Sequence, residues 1–151
     1  MSWRSQRLLI TTSVAALVLT SAGCASDGAP TISVTVGDQQ MNVEATQYCV
    51  DGEGERYSVT PQVLQVDPDT TILIEVPDAV AESGWSFQVF DQGLQDEDLI
   101  GEVDVGKETS FELSTSDAVP AAYYLVIVQD SGEGCEGLAG AWPIGFLRGS
   151  S

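Results

Sequence analysis

Histidine is absent from all 151 residues. That absence excludes serine–histidine and cysteine–histidine nucleophilic catalysis, and with them histidine-based zinc and blue-copper sites. It also removes the side chain best suited to sense pH near neutrality. Positive charge is nearly as scarce. Five bases stand against 23 acids, for a net charge of −18, and lysine occurs once, at Lys107. Phosphate backbones are bound by Lys and Arg, so nucleic acid is excluded as a partner, and so is flat adsorption on anionic lipid. Redox chemistry of the CxxC kind has no motif. The serines Ser58, Ser83, Ser86, Ser110, Ser114 and Ser116 lack a GxSxG or SxxK setting as well as a histidine base. Paired carboxylates occur by chance in so acidic a chain and do not by themselves make a glycosidase. The expected protein is therefore not an enzyme, and no cofactor is called for.

Long apolar runs are also missing, save one at 8–20 (LLITTSVAALVLT). At 1.5 Å per residue it makes a helix of roughly 20 Å, short of the ~30 Å of hydrocarbon in a bilayer. Arg4 and Arg7 precede it, no acid accompanies it, and the small residues Ser21, Ala22 and Gly23 follow, ahead of Cys24. Basic start, short apolar run and small-residue cleavage site make a secretory signal. The stretch Leu19-Thr20-Ser21-Ala22-Gly23-Cys24 resembles a bacterial lipobox, with Ser21 where that motif usually has Leu, Val or Ile. The resemblance implies diacylglyceryl transfer to the Cys24 thiol and cleavage before it. Two acyl chains suffice for stable anchoring without a basic patch. The expected organisation is a lipoprotein signal at 1–23, a tether at 24–30, one domain at 31–148 and a frayed tail at 149–151. The expected location is the extracytoplasmic face of the cell membrane, with the bilayer contacted through acylated Cys24.

All 23 acids lie beyond Cys24, against the three bases Arg56, Lys107 and Arg148. A surface of this charge repels itself and keeps an exported domain soluble. Two cysteines remain, Cys49 and Cys135. In an oxidising compartment such a pair reads as a disulfide, with two free thiols as the alternative.

The rest of the chain is punctuated every few residues by Gly, Pro and Asp, and its apolar residues alternate. Residues 31–36 (TISVTV) place Ile32, Val34 and Val36 on one face. Residues 41–46 repeat the pattern and suggest a hairpin partner. Residues 47–50 continue that second strand or end it, and 56–59 is a candidate short strand. Further strands are expected at 61–66, 71–76, 85–90, 99–105, 109–113, 122–128 and 142–147, and the segments at 99–105 and 109–113 should pair. Residues 51–55 (DGEGE) read as a flexible acidic loop, and 77–84 has room for one helical turn. The run AYYLVIV at 122–128 is apolar on both faces, as in a central strand. Pro143 cannot donate to a ladder, which suggests an edge or a bulge for the last strand. Eight to nine short strands without a long helix suit an all-β, single-domain, Ig-like β-sandwich.

Two acidic loops, 51–55 and 91–98 (DQGLQDED), offer hard oxygen ligands, but neither has EF-hand spacing. The aromatic residues Tyr48, Tyr57, Trp85, Tyr123, Tyr124 and Trp142 fall mostly at inward strand positions and read first as core. A sugar- or peptide-binding groove near Trp142 is the functional alternative. Several phrases together, Val43-Glu44-Ala45-Thr46-Gln47-Tyr48-Cys49, then 66–74 leading into Val76-Pro77, then Trp85, resemble a family of actinobacterial lipoproteins of unknown function. The resemblance implies a lipidated, extracytoplasmic, all-β domain and carries no catalytic residues. The expected role is a non-enzymatic interaction or binding module of the cell envelope with a protein partner there. The alternative is a lipoprotein that binds a small ligand or calcium and delivers it to a membrane complex.

Overall fold

A computed structural model of the chain describes residues 28–118, 120–130, 135 and 140–149. The expected signal at 1–23, the anchor Cys24 and the start of the tether lie outside the described residues. Eleven strands follow in order: β1 (Ile32–Val36), β2 (Gln39–Val43), β3 (Gln47–Val50), β4 (Glu53–Arg56), β5 (Gln62–Val66), β6 (Thr71–Glu75), β7 (Trp85–Asp91), β8 (Leu99–Gly106), β9 (Ser110–Ser114), β10 (Ala122–Gln129) and β11 (Ala141–Arg148). A short helix, α1 (Asp78–Ser83), links β6 to β7, and a 3₁₀ turn at Asp96–Asp98 precedes β8. No helix among the described residues is long and apolar enough to cross a membrane.

The strands form two sheets. One has the order β2-β1-β6-β9. The other has the order β4-β3-β11-β10-β7-β8, with β5 added against β11. β5 and β11 run parallel, whereas the other pairs are antiparallel. The alternating pattern is what packs the sheets together. In β1 the apolar Ile32, Val34 and Val36 are buried, and the intervening Ser33 and Thr35 are half-buried. Ile72 and Ile74 do the same on β6. The facing sheet contributes Trp85, Phe87, Tyr123, Leu125, Ile127, Trp142, Ile144 and Phe146 to the same core cluster. Val80 and Ala81 of α1 close one end.

The strand order is that of an immunoglobulin-type sandwich. With β6, β7, β8, β9, β10 and β11 taken as B, C, C′, E, F and G, one sheet reads G-F-C-C′ and the other A-B-E. Two further marks agree. Trp85 opens the C-position strand fully buried and donates its Nε1–H to Glu108 O at 2.6 Å. Tyr123, near the start of the F-position strand, donates its hydroxyl to Thr115 O at 3.0 Å, the corner contact of such folds. Among the described residues no strand takes the place beside β9 that strand D would occupy, because the β8–β9 connection is only the short turn after Gly106.

Thr115 is the hub of that corner. It has no exposed surface. Its N–H donates to Thr70 O (2.8 Å), its hydroxyl donates to Asp67 O (2.6 Å), and it accepts from Thr70 N–H (3.0 Å). Arg148 Nη1 donates to Thr115 O (3.0 Å) and to Ala118 O (2.8 Å). A buried threonine is tolerable only when so fully paired.

Five sequence expectations are corrected by the pairing. Among the described residues the strands number eleven, because 47–50 is a strand of its own and the acidic stretch 51–55 turns at Asp51-Gly52 and returns as β4 against it, while residues 57–60 are not a strand. The segments at 99–105 and 109–113 do not pair. β8 pairs with β7 and β9 with β6, because the turn at Gly106 (φ 72°) carries the chain from one sheet to the other. The last strand, β11, is interior. Pro143 is accommodated because Ala141 O faces β3, accepting from Thr46 N–H at 2.8 Å. Two residues on, Pro143 faces the same side, in the gap between the β3 contact at Ala141 and the start of β5 pairing at Ile144. β10 is central in its sheet, but only Tyr123, Leu125 and Ile127 are buried; Tyr124 and Val126 are half-buried on the other face. The apolar edge groove does not lie at Trp142, which is wholly in the core.

Candidate functional site

Cys49 and Cys135 are joined in a disulfide, with Cα atoms 5.9 Å apart across 86 positions. The bond ties β3 to the β10–β11 connection. Beside Cys49, Tyr48 meets Trp142 edge-on with ring centroids 5.8 Å apart, and Trp142 Nε1 donates to Pro30 O at 2.8 Å. These contacts hold the start of the domain against its last strand. They are structural: Trp142 has no exposed surface with which to meet a ligand. Trp85 and Tyr123 are likewise core, while Tyr48, Tyr57 and Tyr124 are half-buried.

The acidic loops do not converge. Among the described residues no three His, Cys, Asp or Glu side chains are gathered as a metal site. In the 91–98 loop Asp98 packs against Gly93, and Asp91 keeps one buried carboxylate oxygen, Oδ1, without a partner. Residues Asp51 and Gly52 form the β3–β4 turn, and Glu55 accepts from the Tyr57 hydroxyl at 2.9 Å.

The feature that does converge is a cleft of about 700 Å³ at the open side of the sandwich, between β8 and β9. Its origin is the missing strand. Among the described residues β9 is the last strand of its sheet, and no further strand follows it to lie opposite the inner face of β8. Cross-strand pairs lie on one face, so Val103 (opposite Phe87) and Gly101 (opposite Val89) point inward with those core-side residues. Val103 is nevertheless 37 % exposed. A register shift between Val89 and Phe90 leaves Ile100 as the extra residue of a bulge; it lines the cleft and is 51 % exposed. From the other sheet come Phe111 and Leu113, with Phe111 tilted against Phe87 at 5.3 Å between centroids. Leu125 and Tyr123 form the floor, and Asp117, Ala118 and Pro120 close one end.

The cleft has a definite chemistry. Its side chains are mostly apolar and aromatic, and among the described residues its charged ones are Glu102, Glu112 and Asp117, with no base. Glu102 and Glu112 alternate with inward neighbours, so their carboxylates stand on the outer faces; Gln88 Nε2 donates to Glu102 at 3.3 Å on that side. Asp117 Oδ2 accepts from Ser114 N–H at 2.7 Å. At the floor, Tyr123 is a phenol held neutral: burial pushes its pKa up to about 12, Arg148 opposes the rise and Asp117 adds to it. A built Cβ at Gly101 meets nothing within 4 Å, so this position leaves part of the cleft open. A volume of this size is typical of small-molecule sites, and apolar walls with few polar groups are their usual lining.

A second concavity, about 580 Å³, lies between the β1–β2 turn, the end of β5 and the end of β11. It is lined by Asp38, Asp67 and Arg148, and the guanidinium there is engaged by the Thr115 corner. The cleft was missed in the sequence because Val103 reads as an ordinary inward strand position, and strict alternation puts Ile100 on the opposite face; the bulge that brings Ile100 to the cleft has no local signal. Only the short 106–109 connection hinted that a covering strand was lacking.

Residues 25–132 match the family described as protein of unknown function (DUF2771), and the chain belongs to that family. No curated protein and no solved structure matches the chain.

Proposed function

We propose that this DUF2771 protein is a non-enzymatic binding module of the cell envelope, held on the extracytoplasmic face of the membrane by acylated Cys24, and that the β8–β9 cleft is its binding site. The observation that carries this reading is the cleft itself: apolar residues, inward Val103 and the bulge residue Ile100 among them, left uncovered where the described residues supply no covering strand. Leaving such surface in water has a cost of ~25 cal/mol per Å² that a bound partner removes. The lipobox-like stretch at 19–24 and the likeness to actinobacterial lipoproteins support the anchoring, and the acidic charge supports a partner other than nucleic acid. The absence of histidine supports a role without catalysis.

A small apolar ligand is the second reading, favoured by the volume and the base-free lining, which suit a neutral or cationic molecule better than a fatty acid or a phosphate. Both readings use the same cleft. The test is titration of the full chain, in lipid nanodiscs, with a neutral solvatochromic probe. Gly101→Trp should abolish the cleft-dependent signal, because the indole enters open space. Equal binding by the variant and the parent overturns the cleft as the site.

A further inference from the structure

Resting on the cleft as the binding site proposed above, we infer that its occupant is an extended segment of a partner protein, apolar at alternate residues and basic between them, which pairs with β9 and takes the empty D-strand place. Three independent features of the site define that segment.

The first is a row of backbone groups. β9 ends its sheet. Its carbonyl at the preceding Thr109 faces β6, accepting from Val76 N–H at 2.9 Å, and Thr115 N–H faces the same way. Strand geometry alternates, so Phe111 and Leu113 also turn their amides to β6, whereas Ser110 and Glu112 turn N–H and C=O to the open side. An apolar small molecule leaves these groups to water; an added strand pairs them. The second feature is the cleft below that edge. A strand beside β9 places every second side chain over Phe87, Val89 and Val103, and the other residues on the outer face next to Glu112.

The third feature is charge. From 108 to 118 the chain carries Glu108, Glu112 and Asp117 and no base. Cross-strand opposite charges favour pairing and like charges oppose it, so the outward positions of the segment are Lys or Arg. The same rule disfavours a second copy of this chain. Two β9 strands paired antiparallel about their centre set Glu112 against Glu112, within molecules each of net charge −18.

The experiment is amide hydrogen exchange on the full chain in lipid nanodiscs, resolved to single residues. The probes are nine-residue peptides of alternating valine and lysine in both registers, and the same peptides with glutamate for lysine. The expected result is slowing by about tenfold or more at Ser110 and Glu112 with the lysine peptides only, with Phe111 and Leu113 already protected. The slowing disappears in Gly101→Trp, and Glu112→Lys transfers the preference to the glutamate peptides. Binding of the neutral probe to the cleft without protection at Ser110 and Glu112 by any peptide overturns the strand inference and leaves the cleft as a ligand site. Exclusion of both probe and peptides overturns the inference together with the function it rests on.

Discussion

Replacing Thr115 with valine removes one oxygen and nearly keeps the shape of the side chain. The side chain has no exposed surface, and its hydroxyl makes two contacts: donation to Asp67 O at 2.6 Å and acceptance from Thr70 N–H at 3.0 Å. An orphaned buried polar group costs about 1–3 kcal/mol. Asp67 lies at an exposed turn, so water relieves part of the loss there, while Thr70 is half-buried. The expected destabilisation is about 2–3 kcal/mol. Tyr123→Phe removes a different bond at the same corner, the phenol to Thr115 O. That carbonyl keeps Arg148 Nη1 at 3.0 Å, so nothing is orphaned and the expected cost is about 1 kcal/mol. Urea unfolding followed by tryptophan fluorescence measures both, since Trp85 and Trp142 are fully buried. Because the two bonds share Thr115, the double variant should lose less than the sum of the singles. A cost for Thr115→Val equal to or below that of Tyr123→Phe refutes the corner as described.

Alkaline pH should destabilise the domain through Tyr123. Its native pKa of about 12 lies above the ordinary tyrosine value of 10.0, so the unfolded state releases its proton first. Stability is then full below pH 10 and falls by roughly 2–3 kcal/mol on the way to pH 12; Tyr123→Phe should flatten this slope in unfolding curves taken from pH 9 to 12. Reducing the Cys49–Cys135 bond frees a loop of 86 positions, and the chain-entropy relation gives a loss of about 4–5 kcal/mol, measured as a lowered urea midpoint in dithiothreitol. Cys24→Ala should release the protein from the membrane fraction and abolish incorporation of an alkynyl palmitate analogue; retention of both contradicts the anchor. Gly101→Trp should not lower the urea midpoint, because its Cβ meets nothing within 4 Å and the indole covers apolar cleft surface otherwise left in water.

What the sequence revealed and what it hid differ by range. Strict alternation at 31–36 and 71–76 marked β1 and β6, because one face of each is fully buried and the other is not. The turn residues around Asp67-Pro68 marked where β5 gives way to β6. The pairing of strands was hidden, because it depends on which face each connection crosses. Gly106 reads as a hairpin turn in the sequence, yet it passes the chain between sheets. Pro143 was legible as a broken ladder position, but its tolerance inside a sheet required a gap between β3 and β5, which no local pattern encodes. β4 was obscured by its composition, since Glu53-Gly54-Glu55-Arg56 has no buried residue and joins the sheet through backbone pairing to β3. The cleft was illegible for a related reason. An uncovered inner face has the same sequence as a covered one, and only the absence of a partner strand makes it a site.

The account turns on where the partner touches the domain. The deciding measurement is site-specific photocrosslinking of the full-length chain in the membrane of its own host. A diazirine amino acid is placed at Val103, inside the cleft, or at Val63, exposed on β5 of the far side. The account predicts a discrete adduct from Val103 that is lost when Gly101→Trp is added, and none from Val63. Adducts of equal yield from both positions, or a Val103 adduct that survives Gly101→Trp, contradict the cleft as the binding site.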